Sequence, residues 1–174
     1  MMQNLIRVAA VVGLFSLVAL PNEAAAPTKV NGNATITIPT VLYISATNPH
    51  VAFATPTASD FEAGFVNATT ATKLTHKANV AHSVTVKALE SSMTATGGNQ
   101  GASAARAAKP ASDLLWSVDG KSFQGLNTTS QSVRAAAAPG SYGDLQVNYR
   151  MALDYDDDTP GTYGLNFVYT IVAD

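Results

Sequence analysis

Apolar residues alternate with polar ones over much of this chain, and a period of two is typical of β-strands rather than helices. The clearest cases are segments 145–153 and 162–171, where one parity is apolar and the other mostly polar or small. The apolar positions are Leu145, Val147, Tyr149, Met151 and Leu153 in the first segment, and Tyr163, Leu165, Phe167, Tyr169 and Ile171 in the second. Successive strand side chains point to opposite faces, so each segment is predicted to place one face on a core.

The stretch between these two segments, 156–161, reads Asp-Asp-Asp-Thr-Pro-Gly and has the composition of a turn. Two alternating segments joined by a turn favour an antiparallel hairpin. The sequence therefore predicts that 145–153 and 162–171 pair with each other.

Shorter alternating segments precede this pair. They lie at 34–38, 41–45, 51–54, 74–80, 84–88 and 114–118. Pro39 should end or bend the first, a bend is expected within 79–83, and Asp119-Gly120 is a hairpin turn signal. No helical periodicity is visible after residue 26. Seven to nine short strands with polar turns predict an all-β fold, an antiparallel two-sheet Ig-like β-sandwich.

Residues 1–26 have the features of a secretory signal peptide. One Arg precedes a 13-residue apolar run, 8–20, which is followed by Pro21 and by Ala24-Ala25-Ala26. The run is shorter than the ~20 residues that span a bilayer, so a cleaved leader is favoured over a membrane anchor. The predicted organisation is a signal peptide at 1–26 and one sandwich domain at 27–174, with a long loop at about 93–112 and no further membrane span. The expected location is extracellular or at the cell surface.

Composition excludes several classes of function. The chain has no cysteine, which rules out thiolate catalysis, disulfides and Cys-ligated zinc. Charged residues make up only 13% and the formal net charge is −2. The few basic residues are scattered, so binding to nucleic acid through a basic face is not expected.

Four segments carry a resemblance to a known group of proteins. They are 34–39 (Ala-Thr-Ile-Thr-Ile-Pro), 77–87 (Lys-Ala-Asn-Val-Ala-His-Ser-Val-Thr-Val-Lys), Leu115-Trp116, and 160–171, which opens Pro-Gly-Thr-Tyr and ends Tyr-Thr-Ile. Across roughly 33–172 the chain resembles secreted bacterial Ig-like β-sandwich surface proteins of the fimbrial, pilin and spore-coat-U-like type. Many of those relatives contain cysteines, whereas this chain has none. The resemblance implies a structural or adhesive extracellular role without catalytic residues.

The residues themselves offer little catalytic chemistry. The acidic run Asp154, Asp156, Asp157 and Asp158 has oxygen ligands suited to calcium, but a solvated acidic turn is the favoured interpretation. Of the three histidines, His76 and His82 share strand parity, yet the expected bend between them argues against a metal site, and they are predicted to be half-buried or exposed. The sequence contains neither a Gly-x-Ser-x-Gly elbow nor a phosphate-binding loop. We therefore predict no enzyme activity and no catalytic, cofactor-binding or metal-binding residues.

Two functional hypotheses follow. The first is a surface or pilus-like filament subunit that binds copies of itself by strand addition, with the segment 27–38 as donor; the competing view is that this segment forms the first strand of its own subunit. The second is an adhesin that binds carbohydrate or a surface, for which exposed aromatic residues such as Tyr142 and Tyr155 would be candidates. Trp116, Tyr149 and Tyr163 have inward parity and are expected in the core. Asn33, Asn67 and Asn127 begin N-glycosylation sequons.

Overall fold

The computed structural model describes residues 28–96 and 108–174, and it forms two units. In the first unit, residues 28–37 are exposed and contain neither helix nor strand. The second unit begins at Ile38 and contains all described strands. The signal peptide expected at 1–26 lies outside the described residues.

Twelve strands and one short α-helix make up the second unit within the described ranges. They are β1 (Leu42–Thr47), α1 (Ala58–Ala63), β2 (Phe65–Asn67), β3 (Thr72–Ala78), β4 (His82–Ala88), β5 (Ser92–Thr96), β6 (Lys109–Pro110), β7 (Leu114–Ser117), β8 (Gln124–Gly125), β9 (Gln131–Ala137), β10 (Gly140–Ala152), β11 (Thr162–Gly164) and β12 (Phe167–Ala173). A 3-10 turn, Ala111–Asp113, precedes β7.

These strands form three antiparallel sheets. The largest has the order β1-β3-β10-β7-β8, and β2 pairs with β10. The other two have the orders β12-β4-β9 and β11-β5-β6. Inward-facing side chains of all three sheets share one core, which includes Leu74, Val86, Met93, Trp116 and Val147. The predicted all-β antiparallel sandwich is confirmed, with more and shorter strands than expected.

Alternation correctly assigns the buried face of the central strands. In β3 the buried residues are Thr72, Leu74, His76 and Ala78, and in β4 they are His82, Val84, Val86 and Ala88. Both strands have paired neighbours on either side, so the inward face of each is closed off from water. The chain crosses from one sheet to the other between Ala78 and His82, at the bend expected there.

The hairpin predicted from 145–153 and 162–171 is wrong. The C-terminal half of β10 pairs with β7 and β2, whereas β12 pairs with β4 in another sheet. The two strands contact each other across the core, where the hydroxyls of Tyr149 and Tyr169 are hydrogen-bonded. Burial raises the pKa of Tyr149 to about 12. Alternation shows which face is apolar, but strands that face each other across a sandwich show the same pattern as strands that pair.

Three further sequence predictions differ from the structure. Residues 34–38 form no strand, because their backbone has no ladder partner among the described residues, and 51–54 contribute only an isolated bridge from Phe53 to Ala68. The ends of the loop expected at 93–112 are strands, since Met93 pairs with Lys109.

Helix α1 was not predicted, because six residues are too few to show a helical period. Local signals explain it. The Asp60 carboxylate accepts hydrogen bonds from the Thr57 backbone N–H and hydroxyl at 2.8 and 2.7 Å, and these bonds lower the pKa of Asp60. Gly64 ends the helix with a left-handed φ of 78°.

Candidate functional site

Two sheet edges lie side by side in the sandwich. Strand β1 pairs with β3 and β12 pairs with β4, and neither has a ladder partner on its other side within the described residues. We call the strip between β1 and β12 the seam. Free strand edges present unpaired N–H and C=O groups, which can template the addition of another strand.

Side chains that point inward along β12 are less buried than those of β4. Phe167, Tyr169 and Ile171 have the predicted inward parity and pack on the core, yet each is only half-buried. The inward-facing residues of β4 are fully buried. The difference arises because β12 is an edge strand, so the apolar face at the seam is only partly covered.

The seam continues into an apolar groove beyond the ends of β1 and β12. The groove has a volume of about 420 Å³ and lies between 49–53 and 163–167. Met93, Leu114 and Met151 also line it. The seam and groove together form a strip of half-buried apolar side chains beside unpaired backbone, which suits an extended apolar segment better than a compact polar ligand.

A segment with matching chemistry is present in the same chain. Val30, Ile36 and Ile38 are 92%, 83% and 73% exposed. Together with Gly32 and Ala34 they occupy one parity, and the segment forms no strand. We call residues 30–38 the donor segment, after the role that the sequence analysis considered for 27–38.

The chain directly after the donor segment is fixed by Asn79. Its amide donates to the Pro39 carbonyl at 2.7 Å, and its side-chain oxygen accepts from the Val41 backbone N–H at 2.8 Å. Pro39 cannot donate to a ladder, so strand pairing by the donor segment should end there.

His76 and His82 are brought together, contrary to the prediction. Both are buried, and His76 Nδ1 lies 2.8 Å from His82 Nε2. His82 Nδ1 donates to the Val80 carbonyl at 3.1 Å, so its Nε2 accepts from His76. The bend at 79–81 does not separate the rings, because it transfers the chain to the facing sheet. The described residues contain no group of three His, Asp or Glu side chains that could hold a metal.

We expect this histidine pair to make the fold acid-sensitive. Desolvation, His82 and Arg134 lower the pKa of His76 below its usual 6.5. The unfolded chain then binds more protons than the folded one as pH falls below 6.5, so stability should decrease. Urea unfolding at about pH 7.5 and about pH 5.5, where carboxylates stay ionised, measures this. The His76→Gln variant should lose less stability over that interval; an equal loss in both proteins would refute the assignment.

The acidic turn is partly neutralised rather than wholly solvated. Lys109, only 4% exposed, donates to both carboxylate oxygens of Asp158 at 2.6 and 2.7 Å and lies 3.0 Å from Asp113 Oδ2. The Asp154 N–H also donates to Asp158. This cluster connects β6 to the turn after β10 and gives the acidic run a structural role.

The aromatic residues divide largely as predicted. Trp116 and Tyr149 are buried and Tyr163 packs on the core. Tyr142 stacks on His76 at 5.0 Å between ring centroids, and Tyr155 stacks on Phe61 at 4.7 Å. Both remaining candidates for sugar binding are therefore engaged with neighbouring rings.

Sequence reasoning missed two parts of the site. Nothing in the alternation of 162–171 shows that its inward face lies at an open edge. Likewise, Lys109 is 49 residues from Asp158, so their contact has no local signal. The alternation of residues 30–38 is visible in the sequence because it is local.

The described structure defines an all-β protein with an antiparallel sandwich and an open apolar seam. A scan of the chain against protein-family models gave no match, and a search of curated proteins also gave none. Within the described ranges, no helix has the length and apolar character needed to cross a bilayer.

Proposed function

We propose that this protein is a non-enzymatic extracellular structural subunit that assembles by strand addition. The donor segment of one copy lies along the seam of the next, and the repeat of this contact builds a surface filament. The observation that supports this most is the coexistence of a half-covered apolar seam with an exposed alternating segment that has no ladder partner in the part of the chain that the structure describes.

Backbone geometry favours this pairing. A nine-residue extended segment spans roughly 30 Å, whereas the seven residues of β12 span roughly 23 Å. The donor segment is therefore long enough to follow β12 and continue over the groove. Ladder hydrogen bonds would supply affinity, and alternate side chains would supply specificity.

Side-chain chemistry favours it as well. On binding, the apolar side chains of the donor segment would leave water and pack against Phe167, Tyr169 and the groove. Burial of apolar area is the main favourable term in association. The donor segment and the seam are different surfaces of the same subunit, so their contact need not form a closed ring and can propagate into a filament.

Export and surface location are part of the proposal. They rest on the signal-peptide features of 1–26 and on the resemblance to fimbrial subunits.

Assembly of the processed chain tests the proposal. Size-exclusion chromatography with light scattering should show mass increasing with concentration, and negative-stain microscopy should show filaments. A monomer at every concentration, with the donor segment bound in its own seam, would overturn it.

A further inference from the structure

A second cavity contains an arginine held in a fixed orientation. The cavity has a volume of about 250 Å³ and is walled by the end of β2, the β7–β8 loop and β10. Arg150, on β10, lies between two aromatic rings: its Cζ is 4.3 Å from the Phe65 ring centroid and 4.0 Å from that of Phe123. Cation–π contacts on both sides restrict the guanidinium plane.

The hydrogen bonds of Arg150 leave both terminal guanidinium nitrogens available to donate to a ligand. Its Nε donates to Asn67 Oδ1 at 2.9 Å. In the part of the chain that the structure describes, its side-chain partners are this amide and the two rings, none of which is a carboxylate. A guanidinium with both terminal nitrogens available binds a carboxylate through two parallel hydrogen bonds.

Neutral polar groups surround this cation. Asn67, Thr70 and Asn148 line the same cavity and provide amides and a hydroxyl. Such groups bind hydroxyls, and the small volume suits one sugar ring rather than a peptide. The combination matches a ligand that carries one carboxylate and several hydroxyls.

We propose that the Arg150 cavity binds an acidic sugar, such as a uronic acid unit of a polysaccharide. Arg150 binds the carboxylate, and Asn67 and Thr70 bind ring hydroxyls. The two rings fix the guanidinium before the ligand arrives, which lowers the entropy cost of binding. This site goes beyond strand addition and does not depend on it, because the cavity shares no lining residue with the groove.

Titration with sodium glucuronate, monitored by 1H–15N NMR, tests the site. The processed chain should be made without glycosylation, since Asn67 begins a sequon. Saturable shifts should centre on Asn67, Thr70 and Arg150. Glucose, which lacks the carboxylate, and acetate, which lacks the ring, should each bind at least about tenfold more weakly. Glucuronate shifts no larger than those of glucose, or acetate binding as tightly as glucuronate, would overturn the proposal.

Variants localise the binding. Arg150→Gln should weaken glucuronate binding by at least about tenfold, and Arg150→Lys should also weaken it because lysine lacks the planar fork. The matched control is Arg134→Gln, which removes an arginine from a different ring, that of Tyr142. Thr70→Val, at an exposed position, should weaken binding several-fold and supports the test if an Arg150 variant fails to fold. Unchanged affinity in folded Arg150→Gln, or in Thr70→Val, would contradict the assignment.

Discussion

The double variant Ile36→Asp/Ile38→Asp is expected to remain monomeric under conditions in which the unaltered protein assembles. Both side chains are exposed in the single subunit, so the substitutions should change its stability by no more than about 0.5 kcal/mol. In the assembled state the same positions would place two carboxylates against the apolar seam, where burial of unpaired charge is costly. Sedimentation velocity measures the loss of assembly, and thermal unfolding measures the unchanged fold.

Val118→Asp provides the matched control. Val118 is an apolar residue that is 45% exposed, and it lies in the β7–β8 loop, outside the seam and the donor segment. This variant should assemble normally. Normal assembly of Ile36→Asp/Ile38→Asp, or an equal loss in Val118→Asp, would argue against the donor segment as the specific contact.

Replacing Lys109 with Met is expected to cause a large loss of stability, because this lysine is buried. The substitution conserves most of the side-chain length but removes the ammonium that contacts Asp158, whose side chain is 7% exposed. Removal of one partner from a buried ion pair typically costs about 3–5 kcal/mol. For a domain of this size the thermal midpoint should fall by roughly 6–20 °C, measured by calorimetry.

A second substitution distinguishes charge from packing. In Lys109→Met/Asp158→Asn the Asp158 carboxylate is removed as well, while Asp113 keeps its charge, so part of the lost stability should return. If the stability loss in the double variant equals the sum of the losses measured separately in Lys109→Met and Asp158→Asn, the loss arises from packing rather than from the ion pair.

Local alternation predicts the fold class because it depends only on residues two positions apart. It identifies the inward faces of β3, β4 and β12 correctly, from Leu74, Val86 and Phe167 among others. It fails for pairing, since β10 and β12 show equal patterns whether they share a ladder or face each other through Tyr149 and Tyr169. It also fails at 34–38, where β-propensity is present but the ranges 28–96 and 108–174 contain no partner strand for this segment.

The candidate sites depend on contacts between residues far apart in the chain. Phe65, Phe123 and Arg150 meet only because β2 pairs with β10 and the β7–β8 loop lies beside them. The histidine pair requires the crossing at 79–81 to place His76 and His82 on facing sheets. The prediction that these histidines are half-buried or exposed is wrong, since both are buried. Shared strand parity does not show which side chain lies opposite on the facing sheet.

Disulfide trapping between two chains that carry different cysteine substitutions tests most directly whether the subunits assemble by strand addition. The protein has no cysteine of its own, so an Ile36→Cys chain can be mixed with a Leu165→Cys chain, which carries its thiol in the groove. Strand addition between subunits predicts a cross-linked dimer that contains one copy of each variant, identified by peptide mass spectrometry. Absence of that dimer, together with an internal cross-link in a monomeric chain that carries both Ile36→Cys and Leu165→Cys, would show that the segment belongs to its own subunit and would contradict assembly by strand addition.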